Sequence, residues 1–166
     1  MIYSKILGTG SYLPEKIVTN NDLAESVDTS HEWIVERTGI HQRHIAHEYE
    51  TSLSMSEAAG KKAMEAAGIS AKELDMIIIA TTTPQKAFPS TACLLQERLG
   101  VGGFIAFDFN STACAGFMYA LSIADQYIRQ GVIKKALIIG AELASRVIDW
   151  TDRSTCILFG LSLIHI

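Results

Sequence analysis

No apolar run in the 166-residue chain can cross a bilayer. The longest, around "MIIIA" at 76–80, has about five residues, against the roughly twenty that a membrane helix needs. Basic blocks are missing as well. Lys and Arg total 14 against 18 Asp and Glu, a net charge of −4, which argues against a phosphate-neutralising surface and so against nucleic acid as a partner. The opening "MIYSKILGTG" has neither the basic region nor the apolar core of a secretory signal, so a cytoplasmic location is expected. Cysteine is scarce. Cys93, Cys114 and Cys156 are odd in number, and their spacing fits neither a disulfide framework nor a zinc site, which points to reduced thiols. There is no low-complexity segment and no short repeat.

What is present is a globular composition, 48% hydrophobic and 19% charged, in a chain long enough for one full core. "IYSKILGTGSYLP" reads as a strand ending in a Gly/Pro turn, and "NNDLAESV" as a short helix. In "TSHEWIVERTG", Thr29 and Glu32 have the spacing of a capping box, and Gly39 ends the helix. "IHQRHIA" reads as a short extended run. "SLSMSEAAGKKAMEAAG" is a strong helix former stopped by Gly68, and Ser70 with Glu73 makes a second capping box. "DMIIIATTT" and "GFIAFDFN" read as strands buried on both faces. "STACLLQERLG" and "CAGFMYALSIADQYIRQG" are helices. "KKALIIGAEL" and "STCILFG" are two further buried strands. Alternation of this kind gives an α/β fold with a mostly parallel sheet covered by helices.

Cys114 is the residue with the clearest chemical potential. It sits where a strand leads through "STA" into the long helix, at or near the helix N-terminus. Unpaired N–H groups and the helix dipole favour an anion there, the form in which sulfur attacks a carbonyl. The backbone N–H of Cys114 could also hold a developing oxyanion, and Ala113, Ala115 and Gly116 leave room for a substrate. On the residues alone the other reading stays open: a free cysteine is commonly a small buried hydrophobe. Cys93 and Cys156 fall in helix-like and strand-like apolar patterns and are read as core. "GTGSYL" lacks the third glycine of a dinucleotide fingerprint, since Leu13 stands there. His41, His44 and His47 recur every third residue, which in a strand alternates faces, so no shared metal is expected.

Five segments, "GTGSYLP", "DTSHEWIVERTGIHQRHIA", "ATTTPQKAFPSTA", "STACAGF" and "DWTDRSTCILFG", resemble β-ketoacyl-acyl-carrier-protein synthase III of the thiolase-like superfamily. The resemblance runs from about residue 1 to residue 160. It implies the N-terminal half of a five-layered αβαβα architecture, with a mixed, mostly parallel sheet and a buried nucleophile helix. It also implies that Cys114 takes an acyl group from acetyl-CoA or another short acyl-CoA. A decarboxylative condensation with malonyl-acyl-carrier protein would follow, the first step of fatty-acid synthesis. Trp33 and Arg153 would flank the adenine of coenzyme A, with Arg37 and Thr29 in the same binding surface. Phe88 would reach across a homodimer into the partner's acyl pocket. Coenzyme A enters as a thioester substrate, and neither a metal nor a redox cofactor is implied.

Residues 161–166, "LSLIHI", leave the resemblance and are read as a tail produced by truncation or read-through. In the family a second half supplies the histidine and asparagine that promote decarboxylation, and a second oxyanion donor. None of the five histidines here falls in a matching motif, and the chain alone is expected not to complete condensation. Without its second half, the central helix should expose an apolar face. The alternatives are a starter condensing enzyme of secondary, polyketide-like metabolism and a non-catalytic truncated product.

Overall fold

A computed structural model describes residues 3–110 and 114–159. The chain divides into two compact units, one of residues 3–12 and 51–142, the other of residues 13–50 and 143–159.

The first unit is a parallel three-stranded sheet. Its strands are β3 (Met76–Ala80), β4 (Ile105–Phe109) and β5 (Ala136–Gly140), in the order β4-β3-β5. Met76 is level with Ile105 and Ala136, and Ala80 with Phe109 and Gly140. Every residue of the central β3 is buried, as its unbroken apolar run requires. Beside β3 lies the core of Met76, Ile78, Ala120, Ala124, Ile133 and Ile138. β4 corrects the expectation of a fully buried strand. It is partly exposed throughout, whereas β5, an edge strand like it, buries its three central residues.

Three helices belong to this unit: α3 (Ser52–Ala67), α4 (Thr91–Arg98) and α5 (Gly116–Arg129). Thr51 and Ser54 form a capping box at the start of α3, and Gly68 closes it at φ 66°. The Ser70–Glu73 box is present on a short 3₁₀ turn, Ala71–Glu73. Residues 3–12 form no strand. They lie along α3: a Cβ on Gly8 would come within 2.6 Å of Ala63 O, and one on Gly10 within 2.5 Å of Ala59 O. The two glycines serve close packing against a helix.

The second unit holds β1 (Lys16–Thr19) paired antiparallel with β2 (Gln42–Ile45), together with α1 (Asn20–Ala24) and α2 (His31–Thr38). A short 3₁₀ turn, Ala144–Arg146, and α6 (Arg153–Cys156) complete it. Two sequence expectations change here. The cap of α2 is Ser30, whose hydroxyl accepts the N–H of Trp33 at 3.1 Å, in place of Thr29. "STCILFG" is no strand, because Asp152 accepts the N–H of Ser154 at 2.9 Å and turns residues 153–156 into a helix. A local cap overrides the apolar pattern. The tail at 161–166 lies outside the described residues.

Candidate functional site

Cys114 is exposed and lies in the turn before α5, next to the cap residue Ala115. The helix starts at Gly116, two residues later than the sequence pattern suggests. The cap residue, Ala115, makes no side-chain hydrogen bond to the first turn. The helix is anchored by a stripe of small residues, Gly116, Ala120 and Ala124, all buried at intervals of four. Met118 and Tyr119 on other faces are 61% and 50% exposed, which bears out the expected apolar surface on this helix.

Cys114 follows β4, and the loop after β3 begins at the same end of the sheet. In parallel sheets, binding crevices open at the carboxyl ends of the strands. The loop after β3 carries Phe88, which is 88% exposed. Its far end is fixed by Asp108 in β4, whose carboxylate accepts the N–H groups of Thr91 and Ala92 at 2.7 and 2.8 Å. A charged residue inside an apolar strand was the sequence signal for this anchor.

Cys93 departs from its core reading: it is exposed on α4, with its thiol 3.6 Å from Ala106 O. Cys156 is buried as expected, though in a helix, and burial pushes its thiol up from the ordinary value despite the nearby Arg43 guanidinium.

In the second unit, Trp33 lies half-buried on α2. The guanidinium carbon of Arg37 is 4.3 Å from its ring centroid and that of Arg153 is 4.8 Å away. Both are cation–π distances. Arg153 also donates to Asp28 O at 2.8 Å, and its helix is fixed by Asp152. Ser154 and Thr155 donate to the Asp152 carboxylate and hold it below the usual carboxylate range. Trp33 and Arg153 stand in direct contact, with no gap between them. A flat ring between them would need roughly 7 Å, two van der Waals separations, so Arg153 would have to swing aside to admit one. Thr29 is part-buried, and its Oγ1 is enclosed without a hydrogen-bond partner among the described residues.

Sequence reasoning missed the residue that organises this unit. Arg43 is completely buried; it donates to Asn20 Oδ1 at 2.6 Å and to Ile157 O at 2.5 Å, and burial lowers its pKa. Nothing in "QRHI" marks an arginine as internal. The three spaced histidines go to separate partners: His41 beside His31, His44 to Pro14 O, and His47 stacked on Tyr49. Among the described residues no group of three or more His, Cys, Asp or Glu is placed to hold a metal ion, and no helix is long and apolar enough to cross a membrane.

Residues 107–161 match the family model described as 3-oxoacyl-[acyl-carrier-protein (ACP)] synthase III. The chain is 58% identical over 159 residues to a β-ketoacyl-[acyl-carrier-protein] synthase III of Xanthomonas campestris pv. campestris, covering 96% of this chain and 49% of that protein. It is 60% identical over 158 residues to the protein of the same name from Methylococcus capsulatus, covering 95% and 49%. The chain spans about half the length of the curated relatives it matches. Among solved structures, the 3-oxoacyl-[acyl-carrier-protein] synthase III of Aquifex aeolicus VF5 superposes with TM-score 0.91 at 57% identity, covering 94% of this chain and 50% of that one. The priming β-ketosynthase from the R1128 polyketide pathway gives TM-score 0.91 at 39% identity, covering 95% and 47%.

Proposed function

We propose, on the premise that the chain belongs to the 3-oxoacyl-[acyl-carrier-protein] synthase III family and carries the N-terminal half of its thiolase-like fold, that Cys114 is the acyl-accepting nucleophile of a condensing enzyme. The observation that carries the reading is exposed Cys114 beside the start of α5, at the carboxyl end of a parallel sheet. The Cys114 thiolate attacks the carbonyl carbon of acetyl-CoA or another short acyl-CoA. The tetrahedral oxyanion collapses, the C–S bond to coenzyme A breaks, and its thiolate leaves and takes up a proton. The Cys114 N–H is one donor to that oxyanion. In the complete protein, malonyl-acyl-carrier protein then loses carbon dioxide. The resulting enolate carbon attacks the acyl-Cys114 thioester, a 3-oxoacyl-carrier protein forms, and the Cys114 thiolate is released.

Trp33, Arg153 and Arg37 bind the nucleotide end of coenzyme A by stacking and charge. Thr29 belongs to the same surface through its backbone, since its hydroxyl oxygen is enclosed. Phe88 shapes the acyl pocket of a second subunit in a homodimer, in keeping with its exposure. Residues up to 160 form the condensing-enzyme half, and the protein works in the cytoplasm without metal or redox cofactor. A second reading, a starter enzyme of polyketide-like metabolism, draws on the similarity to the R1128 priming synthase, at lower identity than the Aquifex protein.

The test is to incubate the chain with radiolabelled acetyl-CoA and map the label. Label on Cys114, lost in Cys114→Ala and kept in Cys93→Ala, is expected. Cys93 is exposed as well, so iodoacetamide alone is expected to modify both, and only the thioester discriminates between them. Label on Cys93 instead would sink the assignment.

A further inference from the structure

The loop between β3 and α4 is held at both ends by carboxylates from neighbouring strands. Asp108 fixes the far end at Thr91 and Ala92. Glu142, two residues beyond β5, fixes the near end. One of its oxygens accepts the N–H of Thr82 at 2.7 Å; the other accepts the hydroxyls of Thr82 at 2.9 Å and Thr83 at 3.0 Å. Thr81, just before them, is 1% exposed, and its N–H donates to Phe109 O at 3.1 Å. Between the two anchors, residues 85–89 are all exposed, with Phe88 near the far end.

The position of Glu142 in the sheet matters. β3 is central, β4 lies on one side and β5 on the other. The strand order therefore reverses at β3, and β3 and β5 stay paired one residue past their ends, where Ala141 N donates to Ala80 O at 3.0 Å. Glu142 follows that last bond and reaches from the β5 side to the segment after β3. A carboxylate accepting three hydrogen bonds from one short segment fixes direction as well as position, because its two oxygens are rigidly related. Thr83 precedes Pro84, which restricts Thr83 to extended backbone. The orientation set at Thr82 and Thr83 is thus carried on at least as far as Pro84.

We infer that Glu142 is a positioning residue: through Thr82 and Thr83 it aims the loop that presents Phe88 to the acyl group. The inference rests on the proposed role of Phe88 for its consequence in catalysis, but the holding of the loop by Glu142 stands on geometry alone.

The test uses the 166-residue chain with Glu142→Ala, Glu142→Asp, Phe88→Ala and a control, Asp75→Ala. Asp75 accepts the N–H groups of Lys134 and Lys135 at 2.8 and 2.9 Å in the turn before β5, so its loss removes comparable hydrogen bonds remote from this loop. Trypsin cleavage after exposed Lys86 should quicken roughly tenfold in Glu142→Ala, the factor set by about one net hydrogen bond. Glu142→Asp should recover part of it, and Asp75→Ala should show none. The second readout is selectivity, the ratio of Cys114 labelling by acetyl-CoA to that by hexanoyl-CoA. Glu142→Ala and Phe88→Ala should shift it in the same direction, and the double variant no further, while the rate of Cys114 alkylation by iodoacetamide stays unchanged. Unaltered cleavage in Glu142→Ala, or equal acceleration in Asp75→Ala, overturns the inference. Faster cleavage without a change of ratio upholds the anchor and overturns the pocket role of Phe88. Failure of all acyl labelling counts against Cys114 as acceptor, and the cleavage arm still decides Glu142.

Discussion

The two compact units are stabilised in different ways. In the sheet unit, β3 is five buried residues between two parallel neighbours, and helices with small-residue stripes lie on it. Apolar burial, worth about 1.5–3 kcal/mol for a fully buried isoleucine, dominates there. The other unit has a two-stranded ribbon, which by itself is marginal. Its apolar cluster is small: Val27, Ile34, Cys156 and Ile157, with Trp33, Ile40 and Trp150 packed around it. Directional bonds supply the rest. Arg43 ties Asn20 to Ile157, and Arg146 donates to the carbonyls of His47, Glu48 and Glu50. Cys114 stands beside the first kind of structure. Trp33, with the Arg37 and Arg153 guanidinium groups over its ring, belongs to the second.

The comparison can be broken most severely by one substitution in each unit. Ile78→Ala leaves a cavity at the centre of β3 and should cost about 2–5 kcal/mol. Arg43→Met keeps volume and removes a buried cation, leaving Asn20 Oδ1 and the Ile157 carbonyl without their donor. At about 1–3 kcal/mol for each orphaned acceptor, the loss should be on the order of 3 kcal/mol. Native-state hydrogen exchange separates the two. Ile78→Ala should raise exchange at β3 and β5 amides, and Arg43→Met at α2 and α6 amides. If Arg43→Met proves neutral, the second unit is held by its apolar cluster after all.

A smaller effect sharpens the functional side. Arg153→Ala should weaken binding of coenzyme A by about 1–2 kcal/mol, the value of a lost cation–π and charge contact. Arg153→Lys should not restore it, because an ammonium lacks the flat face that stacks. Isothermal titration with adenosine 3′,5′-bisphosphate isolates the nucleotide end. Full recovery by lysine would reduce the role of Arg153 to charge.

This difference between the units also governs how much could be read from residues alone. Continuous runs such as "MIIIA" and the helix periodicity around Ala120 and Ala124 translate directly into buried elements, so the sheet unit and Cys114 at its helix start were legible. Segments whose fate depends on a distant or competing polar group were not. "STCILFG" has the pattern of a strand, yet Asp152 claims it for a helix. The sheet unit has its own exception: "YSKILGTG" has strand-forming residues, yet Gly8 and Gly10 let it lie on α3. Thr29 and Ser30 both suit a cap, and only the three-dimensional register of α2 chose Ser30. The bonds of Arg43 to Asn20 and Ile157 cross 23 and 114 positions of sequence, and no local rule anticipates them.

The finest distinction between the units lies in what holds their carboxylates ionised. Glu73 in the sheet unit is lowered from 4.5 to about 2, first by the Lys135 hydrogen bond, then by the Ser70 N–H and the Lys135 charge. Asp152 in the other unit is lowered by neutral donors, Ser154 first and Thr155 next. Both groups are depressed relative to the unfolded chain, so their stabilisation is complete above the ordinary carboxylate range and is lost as pH falls. For Glu73 the window runs from about 4.5 down to about 2. Glu73→Gln should therefore flatten the acid limb of melting temperature against pH in that window. Some slope should remain, because Asp75 is also depressed, by the Lys134 and Lys135 N–H groups. Salt separates the mechanisms. At about 1 M the Debye length is near 3 Å, and an exposed ion pair is largely screened. The Glu73 contribution should shrink in salt, while that of Asp152, read as the difference between wild type and Asp152→Asn, should persist. Equal salt sensitivity of the two differences would mean that the units share one electrostatic character.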